Sequence, residues 1–247
     1  GQRAEHDRPC ADQRVGDLNT INLQGGQLTL IAAASGNTRE TIGNIGLVDN
    51  RSNSIRSIVA PGADAEWRIS SMSGAANGRF VRFIGEGSNL GTTGGTNTSN
   101  NRIAFTTAPT LTDGIINFAV IENRVATGLN PGFQFAMFRD PSAGVKPFNN
   151  LLDAYTAATF TAGTFATTLT GAAGTTNVRL SGPQTITNAA ATANAVLLAN
   201  GTIAIGGASL NIDSGLLFSN GVGNSITVPT LTLARLTAIF SSQRTPT

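Results

Sequence analysis

The side chains that most often carry chemistry are nearly missing from this sequence. It has one histidine (His6), one cysteine (Cys10), one tryptophan (Trp67), one tyrosine (Tyr155) and a single lysine, Lys146. One cysteine cannot form an intrachain disulfide. One histidine, in a charged N-terminal stretch, gives a Ser–His or Cys–His dyad no rigid support for its base. No G-x-S-x-G elbow, P-loop, G-x-G-x-x-G turn, EF-hand or calcium-binding repeat is present. His6, Asp7, Cys10 and Asp12 are close in sequence, but structural zinc needs four ligands at characteristic spacing. The sequence therefore implies no metal and no cofactor.

Charge is scarce too. Only 12% of residues are charged, against 40% hydrophobic and 6% aromatic, and the formal net charge is +2. Disordered chains combine high charge with few apolar residues, so this composition belongs to a folded protein. The arginines are scattered, and only Arg79-Phe80-Val81-Arg82-Phe83 interleaves basic and aromatic residues. Alternating Phe there reads as strand core, so nucleic acid is not an expected partner. No apolar run reaches the length of a membrane span, and none has the layout of a signal peptide. The chain opens on Gly1 without an initiator Met, as a mature product or a fragment of a longer protein would.

What is abundant is glycine, 29 residues of it, together with Thr, Asn, Val and Ile, while Glu, Lys and Gln are sparse. That balance favours strands over helices and predicts an all-β chain. The pattern is clearest between Asn177 and Leu233. Val178 and Leu180, Ile203 and Ile205, Leu210 and Ile212, Ile226 and Val228, and Leu231 and Leu233 are each one residue apart. This is the two-residue period of a strand with one buried face. Ser-Gly, Asn-Gly and Gly-Gly corners separate the pairs, where the backbone can take positive φ at little cost. Strand and tight corner in alternation predict a parallel β-helix, a solenoid with about 20–25 residues per turn and about ten to twelve turns stacked into one rod of roughly 50 Å.

Residues 1–16 are charged and lack alternation, so they read as an N-terminal cap or leader remnant. Residues 17–240 read as one β-helix domain, and 241–247 as a frayed tail. Similar strand-sized segments recur at Leu18–Leu23, Leu28–Ile31, Thr41–Val48, Ser54–Val59, Ala65–Ile69, Phe80–Ile84 and Ile103–Phe105. Gly114–Ile121 is the most continuous buried-strand candidate. Two stretches interrupt the rhythm. Residues 85–101 are polar and read as a surface loop; residues 122–150, with Phe133, Phe135, Phe138 and Phe148 among prolines, read as an excursion packed against the rod.

Asp17–Leu30, Thr38–Leu47, Asn101–Gly114 and Asn177–Leu233 together resemble the autotransporter-associated β-strand repeat proteins, large bacterial surface proteins similar to autotransporter passenger domains. The likeness covers most of residues 15–235. It implies a right-handed parallel β-helix, secreted or held at the bacterial cell surface, in a structural or adhesive role. The family shares no catalytic residues, so none is carried over. The first 14 residues, and the lack of a membrane barrel or sorting tail, depart from the family pattern and favour a fragment of a longer protein.

One constellation points to chemistry. β-Helices host glycoside hydrolases and polysaccharide lyases that use paired carboxylates. In Ala63-Asp64-Ala65-Glu66-Trp67-Arg68-Ile69 the strand period places Asp64, Glu66 and Arg68 on one face, with Trp67 and Ile69 on the other. These three are the candidate catalytic residues, with Trp67 or Tyr155 exposed to stack on sugar. The alternative is a solvated strand face with a salt bridge. The other acids considered, Asp49, Asp113, Glu122, Asp140, Asp153 and Asp213, mostly adjoin Gly, Asn or Pro and read as turn residues. Stacked turns also invite asparagine ladders, with Asn44, Asn53, Asn200, Asn211, Asn220 and Asn224 as candidates. The sequence thus predicts a non-enzymatic surface module, with a polysaccharide-active or carbohydrate-binding β-helix as the alternative. Its partners would be extracellular glycans or proteins, or further copies meeting at open β-helix ends.

Overall fold

The structure is a computed structural model that describes residues 18–48, 51–73, 79–91, 100–124, 132–138, 145–147, 164–198, 203–220, 223–234 and 237–241. Every regular element among these residues is a strand, so the all-β expectation holds.

The first eight strands come as four successive pairs: β1 (Ile21–Leu23) with β2 (Gln27–Ile31), β3 (Gly36–Leu47) with β4 (Ser52–Ile58), β5 (Ala63–Ser73) with β6 (Phe80–Glu86), and β7 (Asn101–Phe105) with β8 (Ala119–Asn123). The first members form one parallel sheet, β1-β3-β5-β7, and the second members another, β2-β4-β6-β8. Gln27 lies opposite Ser54 and Arg39 opposite Glu66, each 27 residues on. The Gly25-Gly26 step is therefore a corner between two sheets and not a hairpin, with Gly25 at φ 81°.

In-register stacking turns the sequence alternation into columns. Leu28, Ile55, Phe83 and Ile121 form one column, and Ile42, Ile69 and Phe105 another on the facing sheet. Both feed one apolar core, and removing this surface from water is the main stabilising term. Corners must be as thin as the layer spacing. Gly87 (φ 80°) lies against the carbonyl of Val59 one layer earlier, and a Cβ there would collide with it.

Two sequence readings need adjustment here. Gly85 and Glu86 belong to β6 and Asn101 opens β7, so the interruption is shorter than 85–101; Leu90 within it is buried, its N–H donating to Asn123 Oδ1 at 3.0 Å. Residues 114–121 are buried as predicted, but the strand begins only at Ala119, because Thr112 and Ile115 close a turn on each other.

β9 (Gly132–Phe138) and β10 (Val145–Pro147) then run antiparallel and end the parallel series. Phe133, Phe135 and Phe138 are buried, as expected of a packed excursion; Phe148 lies outside the described residues.

A third sheet, again parallel, follows: β11 (Thr164–Ala166), β12 (Thr176–Leu180), β13 (Gln184–Leu198) and β14 (Ala204–Asn220). On its far edge the 17-residue β14 pairs in turn with β15 (Ser225–Ile226), β16 (Leu231–Leu233) and β17 (Thr237–Ser241). Here the repeat is 21 residues, as between Ile203 and Asn224. Val178, Leu180, Ile203, Ile205, Leu210 and Ile212 are all buried in a core of their own. Leu231, at the edge, is 38% exposed.

The two stacks are separate sheets that pack face to face. Phe218 of β14 stacks on Phe80 of β6 at 5.6 Å and meets Phe133 of β9 at 4.9 Å between ring centroids. Ile115, Val120, Ala195 and Leu216 close the same cluster. Asn177 Nδ2 donates to Asp113 O at 2.8 Å and Arg179 Nε to Phe133 O at 3.1 Å, satisfying backbone carbonyls at the seam. The single rod of about ten to twelve layers expected from the sequence is thus replaced by two shorter stacks, because β9 reverses direction. Phe80 and Phe83 point to opposite faces of β6, and both are buried.

The seam makes a test. Phe218→Ala removes the ring shared by both stacks and should cost about 3–5 kcal/mol in urea unfolding. A loss under about 1 kcal/mol would show that the stacks do not depend on this cluster.

Candidate functional site

The strand geometry predicted for 63–69 is what β5 adopts. Ala65, Trp67 and Ile69 face the core, while Arg68 is exposed on the outer face. The structure brings Glu66 and Arg68 together, with Arg68 Nε on Glu66 Oε1 at 2.6 Å. It also adds two partners that the sequence did not point to. Arg39 of β3 and Arg102 of β7 stand in register with Glu66 in the layers on either side. Their Nη2 atoms lie 3.4 Å and 2.8 Å from Glu66 Oε2. Glu66 therefore sits beneath three guanidiniums, its side chain only 9% exposed. Beside them a depression of about 300 Å³ is lined by Glu66, Arg68, Ala104, Phe105 and Thr106.

Asp64 serves the backbone instead. Its Oδ1 accepts the Asn100 N–H at 2.9 Å, tying the corner before β7 to β5. Trp67 is 2% exposed and donates Nε1–H to Arg56 O at 3.1 Å, so it is a core residue and cannot stack on a sugar. Tyr155, His6, Asp7, Cys10 and Asp12 lie outside the described residues. Among the described residues, no group of three metal-ligating side chains converges.

Electrostatics decide what Glu66 can do. Burial raises a carboxyl's pKa, but the Arg68 hydrogen bond and the charges of Arg102 and Arg39 outweigh it and hold Glu66 below the usual glutamate range. A general acid at neutral pH needs the opposite shift. Glu66 is an ionised partner for arginine, not a proton donor.

The adjoining sheet repeats the device. Glu122 Oε1 takes Arg124 Nε at 2.5 Å and its Oε2 takes Arg82 Nη1 at 3.3 Å, while Arg56 pairs with Glu86 of the next layer. Glu122 lies within β8 and not in a turn, because its partner is 40 residues away in sequence and visible only through the register. Asp113 does fit the turn reading, at φ 47° ahead of Gly114. Its carboxyl is pushed up by burial and then by the charge of Asp213, which is exposed and lies within strand β14, not in the turn expected from the sequence. Asp49, Asp140 and Asp153 lie outside the described residues.

Asparagines do link layers. Asn44 Oδ1 accepts from Ser71 Oγ at 2.6 Å. Asn53 accepts from Gly25 N at 2.7 Å and donates to Phe80 O at 3.2 Å. Asn224 Oδ1 accepts from Ile203 N at 2.8 Å, and its amide donates to Asn220 O at 3.1 Å. Asn211 joins through its backbone, opposite Thr192 and Thr232. Asn200 is outside the described residues. The most direct amide–amide contact, Asn194 Nδ2 to Asn177 Oδ1 at 2.7 Å, was not among the sequence candidates.

Comparison with known proteins finds no matching family model, no matching curated protein and no matching solved structure.

The lowered pKa of Glu66 fixes a sign. Its contribution to stability is complete above the unfolded value, about 4.3, and is lost as pH falls through the lower folded value. Unfolding midpoints should drop in that acid window for the wild type, and the drop should shrink in Glu66→Gln. Parallel acid limbs for the two proteins would show that Glu66 is not linked to folding.

Proposed function

We propose that the chain is a right-handed parallel β-helix module of a secreted or cell-surface bacterial protein, structural or adhesive and not catalytic. The parallel in-register pairing of alternate strands supports the solenoid reading, as does the passage of β14 across three successive partner strands. The likeness of its repeats to autotransporter-associated β-strand repeats supports the placement at the surface. The observation that carries the non-catalytic reading is the state of the outward acids: Glu66, Glu86 and Glu122 are each ion-paired with arginine across layers. Against the effect of its burial, Glu66 is held below the usual glutamate range by its arginines, which makes it a poor general acid at neutral pH.

The purified chain should be silent on a broad panel of glycans and model esters. Turnover that disappears in an Asp64→Ala/Glu66→Ala double variant would make the protein a β-helix enzyme.

The edge formed by the last described strands supports a self-associating role. Ile205, Leu210 and Ile212 of β14 are buried, but their in-register successors Ile226, Leu231 and Leu233 are half-buried or exposed. The stretch from Ser214 to Ala234 contains no charged residue to discourage edge pairing. Copies of the chain should therefore associate through this edge. Sedimentation velocity should show concentration-dependent association that Leu231→Asp reduces; a strictly monomeric wild type would remove this route.

A further inference from the structure

We propose that the arginine cluster on the outer face of β3, β5 and β7 binds the carboxylate or sulfate groups of an acidic polysaccharide. The inference rests on the non-catalytic reading above and gives that surface a ligand class.

Charge is layered in this cluster. The anion lies underneath, with Glu66 at 9% side-chain exposure, and the cations lie outside, with Arg39 at 47% and Arg68 at 50%. The guanidiniums of Arg39 and Arg68 therefore face solvent above one buried carboxylate. Glu66 fixes the guanidiniums from beneath, taking Arg68 through Nε and Arg39 and Arg102 through Nη2.

The register explains why there is space beside them. The column through Arg68 continues to Ala104 in the next layer, where a long side chain would fill the gap. Ala104 instead leaves the depression of about 300 Å³, with Arg68 on one side and Thr106 on the other. A sugar ring with an oxyanion matches this lining. The guanidinium suits a carboxylate or sulfate, the threonine hydroxyl suits ring hydroxyls, and the alanine methyl suits a C–H face.

A polymer fits better than a small anion. One exposed ion pair in water is weak, whereas a long polyanion gains from repeated contacts and from released counterions. Arg39 and Arg68, half-exposed on neighbouring strands, give such a polymer two points of contact within the cluster. Neutral glycans lack the group that the cluster recognises.

The test is the affinity of the purified chain for polygalacturonate, dextran sulfate and neutral dextran at several salt concentrations. Wild type should bind one or both polyanions in a salt-sensitive manner and ignore dextran; the preferred polymer tells uronate from sulfate recognition. Arg68→Gln, at a half-exposed position where folding is checked by circular dichroism, should weaken binding about tenfold. Arg124→Gln, which removes the same charge on the other sheet, should have a much smaller effect. No binding by wild type, or equal losses in the two variants, overturns the site. Release of reducing ends or unsaturated products is followed in the same incubations. Turnover would overturn the non-catalytic reading and leave the binding site standing, whereas absent binding without turnover would sink the site alone.

Discussion

Parallel in-register hydrogen bonding is the constraint on which the other features depend. It places each residue about 4.8 Å from its equivalents in the layers above and below. Cross-strand neighbours in such a ladder are 12 to 38 residues away along the chain. Apolar columns such as Leu28–Ile55–Phe83–Ile121 follow directly, since one unmatched position would leave a void or a buried polar group in the core. The corners obey the same spacing. Gly207, at φ 96°, lies so close to the Ile186 carbonyl of the previous layer that no side chain fits.

Outside the core the same constraint acts on charge. Two like charges stacked one layer apart would repel by about 3.5 kcal/mol at an effective dielectric of ~20. The chain meets this by alternating sign, as in the column Arg39–Glu66–Arg102. Ion pairing is therefore an outcome of stacking. Catalysis by carboxylates asks for environments that drive two pKa values apart. Here the arginines drive Glu66 downward, against the effect of its burial. The same arrangement leaves the half-exposed guanidiniums of Arg39 and Arg68 on the outside.

The junction of the two stacks shows how a sheet face becomes interior. A strand covered on one side alternates apolar and polar residues, but β6 and β14 are covered on both, and Phe80 and Phe218 occupy what would otherwise be outward positions. Asn177 and Arg179 cap exposed carbonyls there, so the seam is satisfied in polar as well as apolar terms. The layer β15–β17 lacks such a cover among the described residues, and its apolar column is correspondingly less buried.

By itself the sequence determined the all-β class, the positions of most strands and the inward residues of each. A period of two and glycine-rich corners are local signals, so Leu210 and Ile212, or Ala65, Trp67 and Ile69, were legible without a structure. It also placed Glu66 and Arg68 on one face, because residues two apart in a strand must share it. Only the tertiary structure decided which layers are neighbours. Register is set by pairings far apart in sequence, and that alone brought Arg39 and Arg102 onto Glu66 and Arg82 onto Glu122. It likewise decided that Trp67 lies in the core and that the strands form two stacks, since an antiparallel turn at β9 and a shared aromatic cluster leave no periodic trace in the chain.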